Sequence, residues 1–71
     1  MYIRSQDRKE LSEFSRLSIA CLNGSYYIST PGISPYHSIG DYGSKERCIA
    51  VLDEIQIAID RGLSTFNMPK E

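Results

Sequence analysis

The feature that most constrains the fold is an amphipathic segment from Lys45 to Arg61. At 100° per residue, its apolar side chains form one stripe made of Cys48, Leu52, Ile55 and Ile59, widened by Val51 and Ala58. Ser44 precedes the segment as an N-cap residue, and Gly62 follows it where a left-handed residue commonly ends a helix. The pattern therefore predicts one helix over 45–61 that buries this stripe.

The chain before this helix has the pattern of antiparallel strands. Asn23-Gly24 favours a two-residue type I′ turn, because both positions of that turn need positive φ. Apolar and polar residues alternate over 16–21, and the strand-forming run 26–28 follows the turn. Apolar residues from Leu11 to Leu17 also recur at helical spacing, so a helix over 11–22 is the alternative. We prefer strands, because the serines and the turn fit them better.

Further short strands are predicted at 1–5, at 37–42 directly before the helix cap, and at 65–68. The segment 30–36 contains two prolines and is expected to be mostly loop. Together these elements predict a single α+β domain over residues 1–71. Its expected architecture is a small curled antiparallel sheet of four or five strands, packed against the one amphipathic helix.

Composition restricts the classes of function. The formal net charge is −1, from eight basic and nine acidic residues, which argues against a general nucleic-acid-binding protein. No apolar run has the length of a membrane span, and no signal-peptide pattern opens the chain, so we expect a cytoplasmic protein without a membrane partner. One histidine and two separated cysteines do not make a metal-binding motif, and we expect no metal or other cofactor.

A chain of 71 residues has room for only one thin core. Domains of this size bury about 60% of their unfolded surface and are marginally stable alone. Ile57 lies opposite the apolar stripe of the helix, and Ile49 lies well off it. We therefore expect these two isoleucines to form an oligomer interface, in a homodimer or a larger assembly.

Candidate ligand-binding residues are basic or aromatic, or lie at the start of the helix. Guanidinium groups bind anions and tyrosine rings stack on bases, while helix N-termini accept phosphates. The predicted set is Arg4, Arg8, Arg16, Tyr26, Tyr27, Ser44 and Lys45. Ordinary helix capping is the alternative for Ser44. His37 is the only imidazole, and no serine lies in a nucleophile elbow, so no catalytic residue is predicted.

Several short motifs in order resemble those of short proteins encoded by phages and prophages of Gram-positive bacteria. They are Met1–Asp7, Gly40–Tyr42, Ser44–Arg47, Val51–Gln56 and Phe66–Pro69. Small phage accessory proteins of this kind often antagonise host defence, and the anti-Thoeris sponge proteins are one such group. Known sponges are generally longer and their ligand residues have no counterpart here, so no site is carried over from them.

The resemblance implies a non-catalytic phage accessory protein in the cytoplasm of a bacterial host. We expect a homo-oligomeric anti-defence sponge that captures a small anionic nucleotide serving as an immune signal. The alternative is an anti-defence inhibitor that binds a host defence protein directly, such as an anti-CRISPR. A small enzyme and a nucleic-acid-binding regulator rank below both.

Overall fold

The computed structural model describes residues 1–14, 16–30 and 37–70. The elements in chain order are β1 (Tyr2–Arg4), β2 (Leu11–Glu13), β3 (Ser18–Leu22), β4 (Ser25–Ser29), β5 (Ser38–Asp41), α1 (Lys45–Asp60) and β6 (Thr65–Asn67). The predicted α+β class is confirmed, and so is the preference for strands over a helix in 11–22. Residues 31–36 of the predicted loop lie outside the described residues.

The strands form two three-stranded sheets, whereas the sequence pattern suggested one sheet of four or five strands. One sheet has the order β2-β1-β6 and the other the order β3-β4-β5. All neighbouring pairs are antiparallel except β1 and β6, which run parallel with Ile3 opposite Phe66. Among the described strands, none of one sheet pairs with a strand of the other. The β6 strand returns from the far end of the chain to pair with β1, a long-range pairing that local alternation does not encode.

The turn between β3 and β4 forms as predicted. Asn23 and Gly24 both have positive φ, at 53° and 80°, and Leu22 lies opposite Ser25. These angles match a type I′ turn, whose twist matches that of the strands it joins. The hairpin therefore follows directly from a local sequence signal.

Helix α1 has both of its predicted caps. The Oγ atom of Ser44 accepts a hydrogen bond from the backbone N–H of Arg47 at 3.1 Å. At the other end, Gly62 has φ of 72° and the N–H of Leu63 donates to the carbonyl of Ala58 at 3.1 Å. This Schellman-type ending stops the helix at Asp60, one residue earlier than predicted.

A single apolar core joins the helix to both sheets. Its buried members are Ile3, Ile28, Ile39, Tyr42, Cys48, Val51, Ile55 and Met68. The predicted helix stripe is thus largely confirmed, with Leu52 partly buried at its margin. The prediction for Ile59 is wrong, since its side chain is 57% exposed. Ile59 lies in the last turn of the helix, at the wall of an open groove instead of beneath a sheet.

Candidate functional site

An open groove of about 210 Å³ lies between α1, the start of the chain with β1, and residues that follow β2. Its apolar lining includes Met1, Phe14, Leu17, Leu52, Ile55 and Ile59. We call this feature the apolar groove. Ile55 is only 5% exposed and forms part of its base, while Ile59 is 57% exposed along its wall. The groove therefore offers an apolar surface that a ligand can contact without being enclosed.

Ile3 and two polar side chains, Arg16 and Gln56, complete the lining of the apolar groove. Arg16 is exposed, and within residues 1–14, 16–30 and 37–70 it takes part in no salt bridge. The nearby Glu13 carboxylate pairs with the amino group of Met1 at 3.4 Å. Arg16 thus offers a guanidinium group beside an apolar surface, which suits a ligand that carries both an apolar and an anionic group.

A second apolar surface lies on another side of the helix. Ile57, Leu63 and Phe66 line a cleft of about 250 Å³ together with Ala58, and we call this the Ile57 surface. Ile57 is 51% exposed, and Ile49, elsewhere on the helix, is 42% exposed. Both isoleucines are accessible, as an oligomer interface requires. The interface itself stays a prediction.

The predicted basic residues are distributed over several local settings. Arg4, at the end of β1, donates from Nη1 to the carbonyl oxygen of Arg8 at 3.4 Å. Arg8 lies in the turn between β1 and β2 with φ of 69°. Arg16 lines the apolar groove. Of these three candidates, only Arg16 is associated with an apolar surface that a ligand can occupy.

The remaining predicted ligand residues mostly pack within the fold or cap the helix. Tyr26 and Tyr27 are consecutive in β4, so they project to opposite sides of the sheet. Tyr26 packs half-buried against the core, and Tyr27 is only 7% exposed, which leaves its ring inaccessible as a stacking face. The Ser44 hydroxyl is engaged as the helix cap, while the neighbouring Lys45 is exposed. Ser44 therefore acts as the helix N-cap, which was the alternative to a ligand-binding role.

The turn between β1 and β2 gathers several polar side chains. Asp7 accepts hydrogen bonds from the Ser5 hydroxyl at 2.7 Å and from the Lys9 N–H at 2.9 Å, and these bonds lower the pKa of its carboxyl group. Glu10 contacts Nε2 of His37 at 2.9 Å, and both of these side chains are one-third exposed. Such contacts organise the turn. Among the described residues, no group of three or more His, Cys, Asp or Glu side chains is placed to hold a metal ion.

Sequence reasoning missed the apolar groove, although one signal pointed to it. Phe14 and Leu17 recur at a spacing of three, which is also typical of a helix. In the structure both line the groove, and neither lies in a helix or strand. Their apolar side chains are the sequence signal for the groove.

Comparison with family models, with curated proteins and with solved structures finds no match for this chain. In the part of the chain that the structure describes, no helix is both long and apolar enough to cross a lipid bilayer.

Proposed function

We propose that this protein is a non-catalytic binding protein that recognises a segment of another protein in its apolar groove. The observation that carries the proposal is the position of Ile59. This isoleucine is 57% exposed at the groove wall, one turn from Ile55, which is 5% exposed. Covering it with an apolar side chain of a partner removes apolar surface from water, at about 25 cal/mol per Å².

The shape of the groove supports a protein ligand over an enclosed small molecule. Pockets that enclose drug-sized ligands have volumes of about 300–1,000 Å³. The apolar groove has about 210 Å³ and is open to solvent. It has room for one or two apolar side chains that project from a partner, which is how many interface anchors bind.

Charge gives the expected partner a second property. Arg16 stands exposed on the groove lining without a carboxylate partner among the described residues. A guanidinium group beside an apolar surface pairs well with an Asp or Glu side chain of a ligand. We therefore expect the bound segment to carry an apolar anchor followed or preceded by an acidic residue. The resemblance to phage accessory proteins makes a host protein the natural source of this segment.

The nucleotide-sponge hypothesis stays a prediction, and fewer contacts support it. Of its expected ligand residues, Tyr27 is buried and Ser44 caps the helix. A nucleotide site would need other residues, or a second subunit, to supply a stacking face and several phosphate donors.

Selection of short random peptides displayed on a carrier tests the proposed function. We expect the enriched peptides to share an apolar residue next to an acidic one. Their dissociation constants are then measured by titration calorimetry against the wild-type protein and against Ile59→Glu. A central anchor position contributes about 2 kcal/mol, so the dissociation constant should rise about thirtyfold in this variant.

Ile57→Glu is the matched control for this experiment. Ile57 is 51% exposed, close to the 57% of Ile59, but belongs to the Ile57 surface. The same substitution there should leave peptide affinity unchanged. Peptides that lose affinity with Ile57→Glu and keep it with Ile59→Glu, or the absence of any enrichment, would contradict the proposal. Arg16→Glu should weaken binding only of peptides that carry the acidic residue.

A further inference from the structure

Two separate three-stranded sheets leave four strand edges, and at the β5 edge the outer carbonyl of Ile39 and both backbone groups of Asp41 are already bonded. The N–H of Gln6 donates to the carbonyl of Ile39 at 2.8 Å. The Gln6 side chain bonds both the N–H of Asp41, at 2.8 Å, and its carbonyl, at 3.0 Å. This edge is therefore closed by the chain itself, which is one way in which proteins prevent unwanted strand pairing.

The edges formed by β2 and β6 are short. Each of these strands has three residues, and Pro69 follows β6 closely. Short edge strands and nearby prolines discourage the addition of another strand. The edge formed by β3 differs, because it has five residues, contains no charged residue or proline, and exposes Cys21 and Leu22.

The hairpin geometry fixes which groups of β3 point away from β4. In a two-residue turn the flanking residues, Leu22 and Ser25, form a hydrogen-bonded pair, and such pairs alternate along the ladder. The carbonyl of Tyr26 accepts from the N–H of Tyr42 at 3.2 Å, which confirms that Tyr26 is directed to the β5 side. Its partner Cys21, and Ile19 two residues earlier, therefore direct their N–H and C=O groups outward.

These outward groups have no partner in the part of the chain that the structure describes. No backbone hydrogen bond beyond the β3–β4 ladder involves Ile19 or Cys21. An uncharged open edge of this kind is a template for another strand. Such a strand would satisfy these groups while covering the exposed side chains beside them.

We propose that a second copy of this chain supplies that strand, with β3 of each copy paired antiparallel about a twofold axis at Ala20. Hydrogen-bonded pairs must join outward-directed residues, so Ile19 pairs with Cys21 of the other copy, and each pair exchanges two hydrogen bonds. Centring on Ala20 is the register that overlaps all of Ser18–Leu22. The paired segment is uncharged, so no like charges face each other in the symmetric arrangement.

This dimer joins the two β3-β4-β5 sheets into one continuous sheet. It goes beyond the proposed function and does not depend on it, because the pairing uses backbone groups of Ile19 and Cys21, neither of which lines the apolar groove. It also differs from the predicted interface through Ile49 and Ile57, which lies on the helix. An isologous interface of this type is self-complementary and closes at two subunits.

Disulfide trapping tests both the contact and its register. In this arrangement Ala20 faces Ala20 of the second copy as a non-hydrogen-bonded pair, with Cβ atoms about 4.5–5.5 Å apart. The Cα atoms of such a pair are about 4.5 Å apart, within the roughly 4.4–6.8 Å that a disulfide spans, so a small adjustment of the side chains brings the sulfur atoms together. Ala20→Cys in a Cys21→Ser background should therefore give a covalent dimer on mild oxidation, visible by non-reducing electrophoresis.

Ser18→Cys in the same background is the matched control. Ser18 is exposed on the same side of the strand as Ala20 but faces Leu22 of the second copy, so the Ser18→Cys variant should form no covalent dimer on oxidation. Equal trapping at positions 18 and 20, or a folded Ala20→Cys protein that does not cross-link, would overturn the proposal.

Amide hydrogen exchange in the wild-type protein tests the proposed β3 pairing without any variant. The N–H groups of Ile19 and Cys21 should become protected by at least about tenfold as protein concentration rises. Exchange of these two amides at an unchanged, unprotected rate at every concentration would overturn the proposal, whether or not Ala20→Cys folds.

Discussion

The side-chain amide of Gln6 pairs with the backbone of Asp41 through two hydrogen bonds. Its Oε1 accepts from the Asp41 N–H at 2.8 Å, and its Nε2 donates to the Asp41 carbonyl at 3.0 Å. The same Nε2 also donates to the carbonyl of Lys70 at 3.0 Å. The single residue Gln6, in the turn that follows β1, therefore connects the two sheets and the C-terminal segment.

Replacement of Gln6 should weaken this connection. We expect Gln6→Met, which keeps the length of the side chain, to lower the free energy of unfolding by about 1–2 kcal/mol, because it removes three hydrogen bonds that each contribute on the order of 0.5 kcal/mol at an exposed position. Urea denaturation monitored by circular dichroism measures the change. Gln56→Met, at an exposed helix position, should stay within about 0.5 kcal/mol. Equal effects at both positions would show that the Gln6 bonds add nothing.

Gly40 lies directly beneath the ring of Tyr42, and this contact leaves no room for a side chain. A Cβ atom at Gly40 would lie 2.5 Å from Cε2 of Tyr42. The ring cannot shift without disturbing its hydroxyl, which donates to the carbonyl of Pro69 at 2.8 Å. Gly40→Ala should therefore lower the free energy of unfolding by about 1–3 kcal/mol, as overpacked substitutions do.

Ser38→Ala provides the control for Gly40→Ala, since Ser38 is an exposed residue of the same strand. Thermal unfolding of the two variants should differ clearly, with the lower midpoint for Gly40→Ala. Equal midpoints would contradict this prediction, because they would mean that the Tyr42 ring moves away from Gly40 at little cost in free energy.

The two cysteines should differ strongly in reactivity. Cys48 is fully buried, and both burial and the nearby charge of Asp41 raise the pKa of its thiol. Cys21 is exposed. Ellman's reagent should therefore modify one thiol per folded chain rapidly and both thiols in denaturant. Native Cys21→Ser protein should react slowly, and rapid reaction of that variant would contradict the buried position of Cys48.

Acid should weaken the turn that Asp7 organises. The hydrogen bond from the Ser5 hydroxyl, then that from the Lys9 N–H, lowers the pKa of the Asp7 carboxyl below its ordinary 3.8. A lowered folded-state pKa gives a stabilisation that is present above the unfolded pKa and is lost as the pH falls through the folded value. The unfolding midpoints of wild type and Asp7→Asn should differ at pH 6 and converge at a pH below 3.8. A constant difference would contradict this assignment.

Local signals in the sequence predicted the local elements well. Ser44 and Gly62 mark the ends of α1 to within one residue, and Asn23-Gly24 gives the β3–β4 hairpin. These features depend on the backbone preferences of a few adjacent residues. They can therefore be found without knowledge of the rest of the chain.

Features that depend on distant parts of the chain could not be predicted in the same way. The parallel pairing of Ile3 with Phe66 places β6 beside β1 and adds a third strand to the β1–β2 pair. The apolar groove combines Phe14 with Ile59, which lies at the far end of the helix, so periodicity alone assigned Ile59 to the core. Of the predicted ligand residues, only Arg16 lies at this groove, because residue type indicates what a side chain can bind but not what surrounds it.

The central claim is that the apolar groove binds a protein segment, and ligand-dependent thermal unfolding of the wild-type protein tests it most directly. A ligand that binds only the folded state stabilises it by RT ln(1 + L/Kd), where L is the free ligand concentration, so the unfolding midpoint rises as the ligand concentration is increased. We expect an increase with a peptide that carries an apolar and an acidic residue, and none across a panel of cyclic nucleotides and ADP-ribose derivatives. An increase with a nucleotide and none with any such peptide would contradict the account and favour the sponge.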